Sequence, residues 1–154
     1  MLIYLRHAKQ TNHRLTDPPI QDVPINLPFN ITYDAIITSP YVRTRQTAQK
    51  LNIHNKPIYI DFRISEFSFG KRKPFLLDPS SLAWGPVPGP DETWDEFTER
   101  VDKHYEYVKT LSGNTLIITH GLVVKYLEEK LTGVTKYARG RDVPHLWGFV
   151  VSQD

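Results

Sequence analysis

Short apolar runs alternate along the chain with longer segments whose apolar residues recur every third or fourth position. Leu2-Ile3-Tyr4-Leu5 is too short for a helix, so residues 1–5 read as a buried strand. Residues 35–38 (Ala-Ile-Ile-Thr), 57–60, 115–119 (Thr-Leu-Ile-Ile-Thr) and 146–151 follow the same pattern, with 115–119 the clearest. Between them lie three helical periods. Tyr41, Thr44, Ala48 and Leu51 share one face, and Ser39-Pro40 supplies an N-cap residue and a proline suited to the first helical position. Thr93-Trp94-Asp95-Glu96 has the spacing of a capping box. It opens a helix with Trp94, Phe97, Val101, Tyr105 (or His104) and Val108 inward, ended by Gly113-Asn114. The third helix starts near Leu122, turns Val123, Tyr126, Leu127 and Leu131 inward, and stops at Gly133.

The stretches between these elements are long. Residues 8–34 contain Pro18-Pro19, Pro24 and Pro28 with no sustained period, so an irregular surface excursion is expected there. Residues 61–92 hold Gly70, Pro74, Pro79, Gly85, Pro86, Pro88, Gly89 and Pro90, and read as a long loop of the kind that forms lids or binding walls. Strands alternating with helices predict an α/β three-layer sandwich, with a mostly parallel central sheet and helices on both faces. Residues 1–154 are expected to form one domain, since no linker, repeat or low-complexity tract divides them.

Composition narrows the functional classes. A formal net charge of +2 on 154 residues gives no bulk attraction to nucleic acid or to a membrane surface. The absence of cysteine excludes disulfides, cysteine nucleophiles and thiolate metal sites, and fits a cytoplasmic protein. No stretch approaches the roughly 18 apolar residues that span a bilayer, and Arg6 interrupts the first apolar run before it could serve as a signal core. A soluble protein with no targeting segment is therefore expected. His13, His54, His104 and His145 lack metal-ligand spacing with one another or with carboxylates, and each is read as a surface or core histidine.

The chemistry concentrates at strand ends. Arg6-His7 closes the first strand, Arg43 lies in the first turn of the helix after the second, and His120 closes the strand at 115–119. In open α/β sheets ligands bind outside the carboxyl ends of strands. If these strands are parallel neighbours, two arginines and two histidines meet at one rim. Two guanidiniums can grip a tetrahedral oxyanion, one histidine can accept a phosphoryl group, and a second, if protonated, can add charge to the transition state. The remaining requirement is a proton donor for the leaving oxygen. Glu66 is the first candidate, with Asp91 and Glu92 next. Arg45, on the same helix as Arg43, is read as a surface residue.

Taken together these segments resemble the histidine phosphatase superfamily, with its phosphoglycerate-mutase-like fold. Arg6-His7-Ala8 is similar to the Arg-His-Gly signature, and Ser39-Pro40-Tyr41-Val42-Arg43 with Gln46-Thr47-Ala48 to the Ser-Pro-x-x-Arg segment. Glu66-Phe67-Ser68-Phe69-Gly70 resembles the acid-bearing segment, Asp91-Glu92-Thr93 stands where many members have Gly-Glu-Ser, and Thr119-His120-Gly121 resembles the second-histidine segment. The resemblance implies His7 as phosphoryl-accepting nucleophile, Arg6, Arg43 and His120 as ligands of the phosphoryl oxygens, and Glu66 as the acid. It implies no metal and no organic cofactor. Thr11 and Asn12 are further phosphate-ligand candidates, about one residue out of the family's register. Two departures stand out. The helix that usually follows the signature is replaced by the proline-rich stretch, expected as an unusual pocket wall. Lys71-Arg72-Lys73 replaces the common Trp-x-Gly, and its charge would favour a polyanionic substrate.

The resulting expectation is a phosphate monoester phosphatase working through a phosphohistidine, on a phosphorylated small molecule or a phosphoprotein. The alternatives are a phosphomutase, a protein-phosphohistidine phosphatase, and a catalytically idle binding module on the same fold.

Overall fold

The structure is a computed structural model, and it describes residues 1–11, 17–67, 83–84 (backbone only), 91–134 and 143–153. The elements are β1 (Leu2–Arg6), β2 (Ala35–Thr38), α1 (Val42–Leu51), β3 (Ile58–Asp61), a 3-10 turn (Phe62–Ile64), β4 (Ala83–Trp84), α2 (Trp94–Val108), β5 (Thr115–Thr119), α3 (Gly121–Thr132) and β6 (Gly148–Val151). Six strands form one sheet in the order β4-β3-β2-β5-β1-β6. All neighbours are parallel except β6, which runs antiparallel to β1 at the edge. The expected α/β fold with a mostly parallel sheet is therefore present.

Side-chain alternation along the strands makes the three layers. Leu2, Tyr4, Ile37 and Ile117 face one side, where Phe97, Val101 and Val108 of α2 and Val123, Val124 and Leu127 of α3 cover them. Ile3, Leu5, Ile36, Leu116 and Ile118 face the other, under Ala48 and Leu51 of α1 and Tyr33 of the proline-rich excursion. Strands apolar on both faces are what a parallel sheet sandwiched between helices requires.

Most expected boundaries hold, and the deviations have identifiable causes. Both halves of the capping box form at Thr93 and Glu96. Gly133 ends α3 in the left-handed conformation at φ 72°, which glycine adopts without a Cβ penalty. α2 stops at Val108, before Gly113-Asn114, and its inward face uses His104 while Trp94 stays half exposed. α1 starts at Val42, not at Ser39-Pro40. The Ser39 hydroxyl is engaged by Thr44 and His120 and does not cap the helix. The Val42 N–H is instead taken by the Asp17 carboxylate, at 2.9 Å to Oδ2, so the excursion supplies the anion at this helix start. β6 begins at Gly148, two residues later than expected, because residues 145 and 146 form a turn.

A polar group lies buried at the end of β3. The His104 ring sits between Asp61 (Nδ1 to Oδ2, 2.8 Å) and the Tyr4 hydroxyl (3.1 Å from Nε2). Burial pushes the Asp61 carboxyl up, but its bonds from His104 and Arg63 outweigh this and hold it below its ordinary range. Burial lowers His104, more than the carboxylate raises it. The state is thus an ionised Asp61 paired with Arg63, beside a neutral His104 that donates from Nδ1 and accepts from Tyr4. Among the described residues no helix is long and apolar enough to cross a membrane.

Candidate active site

The carboxyl ends of β1, β2 and β5 lie side by side, since β1 and β2 both pair in parallel with β5. This brings His7, Arg43 and His120 into contact. His7 and His120 are nearly fully buried, with their ring centres 5.4 Å apart. Arg43 lies between them, donating from Nε to His7 Nε2 at 3.2 Å and from Nη2 to His120 Nδ1 at 3.3 Å. Its third nitrogen, Nη1, pairs with Asp17 at 3.4 Å, and its guanidinium covers the Tyr41 ring.

Hydrogen bonding fixes both histidine tautomers. His7 Nδ1 lies 2.7 Å from the Ala8 carbonyl oxygen, which can only accept. Nδ1 therefore carries the proton, and the lone pair is on Nε2, facing Arg43. His7 is held well below its ordinary pKa by burial first and then by the Arg43 guanidinium, with Arg6 and His145 adding to the effect. A neutral imidazole with its lone pair at the arginine is the state a nucleophile needs. His120 Nδ1 faces a guanidinium, which can only donate, so its Nε2–H donates to Ser39 Oγ at 2.8 Å. The Ser39 hydroxyl lies 2.7 Å from that of Thr44, which donates to the Tyr41 carbonyl at 2.9 Å. The Glu66 carboxylate lies on the same Nδ1 side of His120, with Oε2 3.9 Å away.

Glu66 reaches the site from the other flank. The 3-10 turn before it is tied to β5 by Thr119 Oγ1 donating to the Ile64 carbonyl (2.8 Å). Arg100 of α2 donates to the carbonyls of Arg63, Ser65 and Glu66 and grips both carboxylate oxygens of Glu92. Glu92 is thus buried in an ion pair, while Glu66 keeps a partly exposed carboxylate beside His120. Asp91 is exposed. Of the three acids weighed from the sequence, Glu66 is the one placed against a site histidine.

Arg6 continues from β1, and its Nη1 donates to the Val143 carbonyl. The Thr11 hydroxyl points to the Pro19 carbonyl at 3.3 Å. Asn12 and Lys71-Arg72-Lys73 lie outside the described residues. Four neighbours have contacts that sequence reasoning did not assign: Ser39 and Thr47 were singled out only as parts of a motif, and Asp17 and His145 carry none. Asp17 binds Arg43, Ser39 binds His120, and Thr47 Oγ1 accepts the Ala8 N–H at 2.9 Å. The fourth is His145, whose ring centre is 5.4 Å from that of His7. The reading of His145 as a surface or core histidine did not anticipate this neighbour. Only the pairing of β6 beside β1 brings it there, and no local spacing encodes that.

A three-layer α/β sheet with these strand ends defines a phosphoglycerate-mutase-like fold. The chain belongs to the histidine phosphatase superfamily (branch 1), whose family model matches residues 29–145. That match includes Arg43, Glu66 and His120; Arg6 and His7 precede it, and are placed by the pairing of β1 with β5. Among solved structures, Bacillus stearothermophilus YhfR is similar over 96% of this chain and 86% of its own, with 20% identity and a TM-score of 0.65. The ecdysone phosphate phosphatase EPPase from Bombix mori, solved with tungstate, aligns over 94% and 84% at 15% identity and a TM-score of 0.60. TTHB049 from Thermus thermophilus aligns over 90% and 88% at 23% identity and a TM-score of 0.55. No curated protein sequence matches the chain.

Proposed function

We propose that this protein is a phosphatase that hydrolyses phosphate monoesters through a phosphohistidine at His7. The observation that carries the reading is the fixed tautomer of His7, which directs a neutral Nε2 lone pair at the Arg43 guanidinium. A substrate phosphoryl oxygen competes for the Arg43 Nε–H, so docking releases that lone pair as it places phosphorus in front of it. Arg6 and Arg43 donate to the non-bridging oxygens, and His120 does so from Nδ1 once that nitrogen carries a proton. Nε2 attacks, the P–N bond forms, the P–O bond to the leaving group breaks, and a protonated Glu66 gives its proton to the departing oxygen. Glu66, now a carboxylate, takes a proton from an attacking water. The P–N bond breaks, and inorganic phosphate leaves with His7 neutral again. The EPPase neighbour, itself a phosphatase by name, supports the choice of hydrolysis.

The test is hydrolysis of an aryl phosphate in the presence of a chelator by wild type and by His7→Ala. The expected result is turnover that survives the chelator and disappears in the variant, with an acid-labile phosphoryl group trapped only on the wild type. Turnover retained by His7→Ala would overturn the assignment of the nucleophile.

A further inference from the structure

Strand order places β1 between β5 and β6, so His7 has neighbours on two flanks. His120 comes from the β5 side. On the β6 side stands His145, at the same 5.4 Å between ring centres and a similar tilt, 59° against 63°. It is half-buried, where His7 and His120 are fully buried, so it stands nearer the mouth of the site.

Its position is built, not incidental. Three hydrogen bonds pin residues 143–147 to Arg6, the residue directly before His7. Arg6 Nη1 donates to the Val143 carbonyl, the Leu146 N–H donates to the Arg6 carbonyl (3.2 Å), and the Arg6 N–H donates to the Trp147 carbonyl (2.9 Å). The turn itself closes with Trp147 N–H on the Pro144 carbonyl (3.2 Å), and it forces Leu146 to φ 58°. A side chain in the left-handed region carries strain that glycine would avoid, and such strain persists where the surrounding structure holds the geometry. The imidazole is then oriented by Gln10, whose Oε1 is 3.2 Å from His145 Nε2.

We propose that His145 is a phosphoryl-contacting residue: with its Nε2–H held by Gln10 Oε1, the protonated imidazole donates from Nδ1 to an oxygen of the substrate phosphate on the β6 flank of His7. The inference rests on the reading of His7 as the phosphoryl acceptor. It adds a ligand that the motif-bearing segments do not contain, and it gives the strained turn at Leu146 a purpose.

Inorganic phosphate is the probe. Its affinity is measured by calorimetry on wild type, His145→Ala, His145→Gln and, as a reference, Arg43→Ala, with thermal midpoints alongside. The expected result is phosphate binding about tenfold weaker in His145→Ala, the size of one charge-assisted hydrogen bond, with a smaller loss in His145→Gln and little change in thermal midpoint. Should His145→Ala fail to fold, His145→Gln carries the comparison alone. Unchanged affinity in a folded His145 variant, with clear weakening in Arg43→Ala, would overturn the role of His145 and leave the phosphatase reading standing. No phosphate binding by wild type, or affinity indifferent to Arg43→Ala, would overturn the phosphoryl site and this inference with it.

Discussion

Replacing Arg100 tests how the acid-bearing segment is held. Its guanidinium neutralises Glu92 and satisfies the carbonyls of Arg63, Ser65 and Glu66; Arg100, Glu92 and Ser65 are buried, Arg63 and Glu66 partly so. Arg100→Met keeps an apolar side chain of similar reach but removes every donor, together with the guanidinium that covers the Phe97 ring. Glu92 is left as a buried charge, and breaking such a pair from one side costs about 3–5 kcal/mol. The second replacement discriminates between charge and packing. In Arg100→Met/Glu92→Leu the stranded charge is gone and only the carbonyls remain unpaired, at roughly 1 kcal/mol each. The double variant should therefore be more stable than the sum of the two single changes predicts, so a double-mutant cycle shows clear coupling between Arg100 and Glu92. Urea unfolding followed by far-UV circular dichroism gives these numbers, provided the transition is two-state. A loss below about 1 kcal/mol for Arg100→Met, or strict additivity of the two changes, would refute the clamp.

Three further outcomes are expected. Ser39→Ala leaves the buried His120 Nε2–H without its acceptor, so it should cost about 1–2 kcal/mol and slow aryl phosphate turnover; unchanged stability would mean the serine is dispensable. In Gly148→Ala a Cβ would lie 1.8 Å from the Tyr4 carbonyl oxygen, so β6 must move, at a cost of about 3 kcal/mol in a thermal or urea melt; a neutral effect would refute the close approach. His7 and His104 are both held below their ordinary pKa in the fold, whereas in the unfolded chain they titrate near about 6.5. Below that pH the unfolded state binds more protons, so stability is fully present above it and falls as pH drops. The urea midpoint should be lower at acid pH than at neutral pH, and His104→Gln should flatten the slope; a midpoint that rises in acid would contradict the assigned neutral states.

Much of the fold was legible because its signals are local. Residues 35–38 and 115–119 became strands with the expected bounds because nothing but a buried strand suits four or five consecutive apolar or β-branched residues. Thr93 and Glu96 carry their capping information within four residues. Ser39 shows where local reading stops. A serine before a proline reads as a cap, yet its hydroxyl serves His120, 81 residues away. Asp17 is the converse case, a residue of an apparently featureless loop that supplies both the helix start and the Arg43 carboxylate partner. Arg6, His7, Arg43, Glu66 and His120 were all singled out because each sits at a strand end or in a motif. His145 was not, because its approach to His7 depends on the antiparallel return of β6.

The strand order also governs how the chain can acquire its structure. β1 precedes both its partners, β5 and β6, by a long stretch of chain, with Leu2 against both Thr115 and Val151. During synthesis the β1 backbone and its run of apolar side chains must wait without these sheet partners until β5 and β6 have emerged. Such long-range parallel pairing is slow and leaves strand edges exposed to aggregation meanwhile. His7, at the end of β1, reaches His120 and His145 only after that last docking step. Recovery of activity on refolding should therefore trail the recovery of helical signal from α1 and α2.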